Sequence, residues 1–93
     1  MDIRYYIDPT TQEAHIRRHG VEDAEVEDVL ARPYEDRPGK DGSRLAIGQT
    51  RAGRYLRVIY VPDPTPGSIF VITAYELGPK AKAALRRRLR KKK

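Results

Sequence analysis

The sequence contains no cysteine. Disulfides and thiolate metal sites are therefore excluded, which fits a reducing compartment. No apolar run approaches the length of a membrane span. No charged-then-apolar leader opens the chain, so a cytoplasmic protein with no membrane contact is expected. There is no P-loop, no Rossmann glycine pattern, no HExxH and no Ser-His-Asp grouping. Internal repeats are also missing. At 93 residues, one domain spanning 1–93 with a modest core is expected.

Acids are absent from the last stretch. From Pro79 onward there are nine Lys or Arg and no Asp or Glu. The remaining ten basic residues face all 13 acids, so the first 78 residues carry a net −3 although the whole chain is +6. The basicity is a C-terminal feature of residues 79–93. Such a tail raises nucleic-acid affinity without sequence preference, and it can equally be a solvated, frayed end.

What is abundant is strand-forming sequence between Ser43 and Leu77. Three runs rich in Val, Ile, Leu and Tyr are separated by turn chemistry. They predict strands at 44–50, 54–61 and 69–77. Gly53 supplies the positive φ of a hairpin between the first two. The three prolines of Pro62–Gly67 make a stiff loop before the third. Side-chain alternation favours Ile47 opposite Val58, with Leu45, Ile47, Leu56 and Val58 on one face. The Phe70, Ile72, Ala74, Glu76 set of the third strand is assigned to that same helix-covered face. Arg57 then lies mid-strand on the other face, beside Thr73 and Tyr75, over the small residues Ala46 and Gly48.

Around this hairpin, Asp2–Ile7 reads as a short edge strand and Tyr34–Pro38 as another. Thr10 with Glu13 has capping-box spacing, which predicts a helix over 10–19 that stops at Gly20. Val21–Arg32 has helical apolar periodicity, with acids in the first turn and on the other side. A last helix starts at Pro79, with a narrow stripe of Ala81, Ala84, Leu85 and Leu89. Lys91–Lys93 are expected to fray. The fold class is α+β: a twisted antiparallel sheet of three to five strands, two N-terminal helices and a basic C-terminal helix.

Candidate site residues follow from this layout. His15 and His19 have a spacing that can hold zinc, but a third ligand is missing, so no metal or other cofactor is expected. His19 alone can serve as a helix-end cap, a phosphate contact or a proton carrier. Arg44, Arg54 and Tyr55 form, with Arg57, a basic and aromatic cluster suited to phosphates and bases. Arg51 and Arg54 also read as solvated turn charges. Lys80 and Arg87 extend the basic surface onto the last helix. Tyr75 and Glu76 close the third strand, where a phenol can act as an acid or an oriented hydroxyl and a carboxylate can pair with an arginine.

The order of these segments is familiar. His19-Gly20-Val21, the acidic helix EDAEVEDVL, the RPGKDGSR turn, the hairpin GRYLRVIYV and the strand FVITAYE together resemble the BrnT-like and RelE/ParE-like superfamily of small bacterial toxins. Tyr75 and Glu76 follow Ala74 where BrnT-type sequences usually carry a basic residue. The resemblance implies the toxin of a type II toxin–antitoxin pair. It further implies an endoribonuclease of mRNA-interferase type that needs no metal and positions a ribose 2′-OH against its own phosphodiester. Mapped here, Arg57 holds the phosphate, with His19 or Tyr75 handling protons. The implied partners are a cognate antitoxin and RNA, ribosome-bound mRNA included, and a homodimer is compatible with it. The alternative is a non-catalytic nucleic-acid- or protein-binding module on the same scaffold.

Overall fold

The computed structural model describes residues 1–91. Lys92 and Lys93, the end of the expected frayed tail, lie outside the described residues. The elements are β1 (Asp2–Tyr5), a 3₁₀ helix (His15–His19), α1 (Asp23–Ala31), β2 (Glu35–Pro38), β3 (Arg44–Gln49), β4 (Tyr55–Pro62), β5 (Ser68–Glu76) and α2 (Pro79–Lys91), with a short 3₁₀ turn at Lys40–Gly42. The strands form one sheet in the order β1-β5-β4-β3-β2. All neighbours are antiparallel except β1 and β5, which run parallel. The sheet is therefore mixed, which corrects the purely antiparallel expectation. Strands from opposite ends of the chain meet there, and nothing local in either one announces its direction.

The expected helix over 10–19 does not form as such. Asp8 Oδ1 accepts the Thr10 N–H at 2.8 Å, and Gln12 takes a left-handed φ of 61°. A turn held by an Asp side chain competes with helix initiation, and a left-handed residue cannot continue a helix. Only His15–His19 closes, as 3₁₀. The second helix forms as expected. The Glu25 carboxylate accepts the Glu22 N–H at 3.0 Å, and Val21 and Val26, both fully buried, bracket the first turn as a hydrophobic staple.

The hairpin register is also corrected. Ala46 stands opposite Val58, Ile47 opposite Arg57 and Gly48 opposite Leu56. The reason is the turn. Thr50 N–H donates to Arg54 O at 2.8 Å, and Gly53 has φ 95°, so Arg51-Ala52-Gly53 is a three-residue loop rather than a two-residue one. One added loop residue shifts every pair by one. Ala46, Leu56, Val58 and Ala74 consequently pack against Val26 and Val29 of α1. Gly48 permits this approach, because a Cβ there would lie 3.1 Å from Val29 Cγ1. The small residues assigned to the floor beside Arg57 are therefore under α1 instead.

The other face receives α2. Leu85 is fully buried with Ile47 and Leu77, and Tyr55, Ala81 and Leu89 pack around them. Arg88 secures α2 to β2 by donating to both oxygens of the buried Glu35, at 2.8 and 2.9 Å. In β5 the register shifts where Ile59 pairs with Thr73 and Tyr60 with Val71, which leaves Ile72 as an inserted residue. Ile69 and Val71 join the core before this bulge, and Ala74 joins it after. The Phe70 set was thus right for Ala74 and wrong for Phe70. Among the described residues no helix is long and apolar enough to cross a membrane.

Candidate functional site

Arg57 sits in the middle of β4, paired with Ile47 on one side and Tyr75 on the other. Directly opposed residues share a sheet face, so Arg57 and Tyr75 project together from the β4–β5 side of α2. An Arg57 Nη1–H points at the Tyr75 hydroxyl oxygen at 3.4 Å, and its guanidinium carbon lies 5.8 Å from the Tyr75 ring centre. Arg57 Nε is buried without a hydrogen-bond partner, and so is Thr73 Oγ1 in the next β5 position on that face. Unpartnered polar atoms of this kind are uncommon in folded proteins and need a cause. Both atoms are shielded from solvent, so an anion at this place would have to engage the outer N–H groups of the guanidinium.

Most other arginines near the sheet are already paired. Arg4 holds Asp63 at 2.6 Å, Arg44 holds Asp36 at 2.8 Å, and Arg88 holds Glu35. Arg54 donates to both oxygens of Glu25 at 2.8 Å, to Glu76 at 3.1 Å and to Gly20 O at 3.1 Å. Arg57 has no carboxylate partner among the described residues.

His19 reaches the same place from the 3₁₀ helix, which packs against β5 beyond the end of β1. Its ring lies 5.9 Å from that of Tyr75, at 64°. Arg57, Tyr75 and His19, far apart in sequence, are therefore neighbours.

The other expected contacts are scattered. Arg44 shares the α1 face with Tyr60 and Ala46, on the opposite side of the sheet from Arg57. Arg54 is occupied by Glu25 and Glu76, and this pairing also accounts for Glu76. Tyr55 does share the Arg57 face. Lys82 Nζ stands 5.7 Å from its ring and Tyr34 packs at 6.2 Å. Lys80 and Arg87 are exposed on α2, seven residues apart and hence on nearly the same side of it.

Beside His19 lies a group that sequence reasoning passed over. His15 packs against His19 at 5.4 Å and 73°, with its Nδ1 3.4 Å from Asp8 Oδ2. Asp8 is buried and also accepts from Arg18 at 3.0 Å. The Thr10 N–H, assisted by His15 and Arg18, holds the Asp8 carboxyl below the usual range against the opposing effect of burial. The i, i+4 histidine spacing drew attention to metal, whereas Asp8, seven residues upstream, gave no signal of its own. Among the described residues no group of three or more His, Asp or Glu is placed to hold a metal ion.

A family model described as a domain of unknown function, DUF4258, matches residues 13–76, more than half of the chain. The chain belongs to the DUF4258 family. The matched span encloses His15, His19, Arg57 and Tyr75, and leaves Asp8 and α2 outside. No curated protein sequence matches it. Among solved structures, the 1.1 Å crystal structure of the Brucella abortus ribonuclease toxin BrnT is similar. The two share 21% sequence identity with a TM-score of 0.61, over 84% of this chain and 99% of that one. The BrnT-like expectation is thereby met at the level of the fold. The likeness carries no information about RelE or ParE.

Proposed function

We propose that this DUF4258 protein is a ribonuclease toxin, a single BrnT-like domain that cleaves RNA without a metal. The observation that carries the reading is Arg57: a mid-sheet guanidinium with no carboxylate partner among the described residues, with Tyr75 beside it and His19 beside Tyr75. The fold likeness to a ribonuclease toxin supports it. RNA supplies its own nucleophile, so the protein's task is positioning and charge stabilisation. The 2′-oxygen bonds to phosphorus while the P–O5′ bond breaks. His19 takes the 2′-OH proton, and Tyr75 gives its hydroxyl proton to the departing O5′. Arg57 holds the non-bridging phosphate oxygens, and its N–H toward Tyr75 meets the charge left there. The products are a 2′,3′-cyclic phosphate and a 5′-hydroxyl. A cognate antitoxin and a cytoplasmic setting belong to this reading.

The test is cleavage of mixed-sequence single-stranded RNA in excess EDTA, with the new ends identified. Arg57→Ala should lose about 100-fold or more in rate while keeping its fold. A folded Arg57→Ala protein that cleaves like wild type would refute the assignment. The second reading, a binding module, is favoured by the exposed cations Lys80 and Arg87 on α2. RNA binding with no new ends under any condition would put it first.

A further inference from the structure

We infer that Asp8 and His15 form a positioning pair that holds the His19 ring against Tyr75; the catalytic part of this rests on the ribonuclease reading above. His19 is exposed and ends a five-residue 3₁₀ helix, so its own backbone fixes the ring poorly. No hydrogen bond to its imidazole occurs among the described residues. What the His19 ring meets is the Tyr75 ring, at 5.9 Å, and the His15 ring, at 5.4 Å. Both contacts are tilted or edge-to-face, the favourable geometry for rings. A wall must itself be fixed, and His15 is. Its Nδ1 faces Asp8 Oδ2, and a carboxylate only accepts, so Nδ1 carries the proton donated to it. Tyr6 closes the outer side of His15 at 6.0 Å. His15 N–H donates to Tyr6 O at 2.9 Å and Asp8 N–H to Glu13 O at 2.8 Å, which tie this segment to the end of β1.

His15 is thus a positioning residue, acting by the shape and place of its ring. A purely structural role would affect melting alike for any substitution and would leave His19 indifferent to which ring replaces it. The experiment compares wild type, His15→Ala, His15→Phe and Asp8→Asn. Two readouts are taken: kcat and KM on mixed-sequence single-stranded RNA, and ring-proton NOEs between His19 and Tyr75. His15→Ala should lower kcat about 10- to 100-fold with little change in KM, as expected for a small misplacement of a reacting group. It should also lose the His19–Tyr75 NOE. His15→Phe, which keeps a ring but loses the bond to Asp8, should restore only part of the NOE and of kcat, and Asp8→Asn, which keeps the His15 ring and weakens the same bond, should lose no more than His15→Phe. An undiminished NOE in His15→Ala, or a His15→Phe protein as impaired as His15→Ala, overturns the inference. If wild-type protein cleaves no RNA, the ribonuclease reading fails, and the NOE series alone still supports or overturns the positioning of His19.

Discussion

Arg54 and Arg57 stand three residues apart on the same hairpin, and the structure gives them opposite fates. Replacing Arg54 with Ala removes a bidentate contact to Glu25, a contact to Glu76 and one to Gly20 O. Arg54 and Glu25 are 29% and 20% exposed, so that pair is partly shielded, whereas Glu76 is 48% exposed. A shielded charge-assisted hydrogen-bonded pair contributes about 1.5–3 kcal/mol, and an exposed one about 0–1. Weighted for exposure, Arg54→Ala should cost about 2 kcal/mol, which lowers Tm by roughly 10 °C in a domain of this size. RNA affinity per folded molecule should change little. Arg57→Ala should do the reverse, with a near-wild-type Tm and a large loss of cleavage. The assay is thermal melting by circular dichroism beside RNA binding for both variants. A double-mutant cycle with Glu25→Ala isolates the pair energy. If Arg54→Ala melts with wild type and binds RNA markedly less, then Arg54 serves RNA rather than the fold, and the reasoning from its partners is wrong.

Leu85→Ala should destabilise the protein by about 3 kcal/mol, because it empties the one fully buried position of α2; denaturant unfolding measures this, and a loss under ~0.5 kcal/mol would mean that α2 is not docked as described. Removing Arg90–Lys93 should reduce the salt dependence of RNA binding, log K against log salt, by up to about 3 in slope, and an unchanged slope would show that the tail makes no phosphate contacts. Asp8 and Asp63 are both held below the ordinary carboxylate range, Asp8 first by the Thr10 N–H and Asp63 first by the Ser68 hydroxyl. Their stabilisation is complete above the ordinary Asp value and is lost as pH falls through the lowered one, so Asp63→Asn should flatten the decline of Tm below about pH 4. Tyr5 is pushed up to about 12, first by burial and then by Asp23 and Glu27. Stability should therefore fall as pH rises from about 10 toward 12, and Tyr5→Phe, which also removes a buried unpartnered hydroxyl, should lessen that fall, with Tyr60, likewise raised by burial and by Asp36, contributing the remainder.

Much of the scaffold was legible because local chemistry writes it. The three long strands, α1 and α2 begin and end within a residue or two of where periodicity, proline and capping residues put them. Pairing was less legible, because it depends on geometry that a residue string does not state. Gly53 signalled a hairpin but not whether two or three residues form its loop, and the register turned on that. The edge position of β1 was readable from its place in the chain, but not its parallel partner. At the site, assigning Ala74 to the core face places Arg57 and Tyr75 together, a choice that does not depend on the hairpin register. Arg54 read as free only because Glu25, 29 residues away, carries no mark of its destination. Asp8 was invisible for the same reason: a buried carboxylate looks like any Asp before a proline until the chain folds back to enclose it.

The bulge at Ile72 separates two tasks that one strand would otherwise have to share. Before it, β5 is phased by β1 and the core, through Ile69 and Val71. After it, β5 is phased by Arg57, through Thr73 and Tyr75. A continuous strand would keep one parity throughout, so Tyr75 would follow Ile69 and Val71 under α1 while Ala74 faced solvent. The inserted residue lets each half answer to its own neighbours. Substitutions that improve packing at Ile69 or Val71 can therefore accumulate without turning Tyr75 away from the guanidinium. Deleting Ile72 would close the bulge with both phases kept, Val71 and Ala74 toward the core and Tyr75 still opposite Arg57.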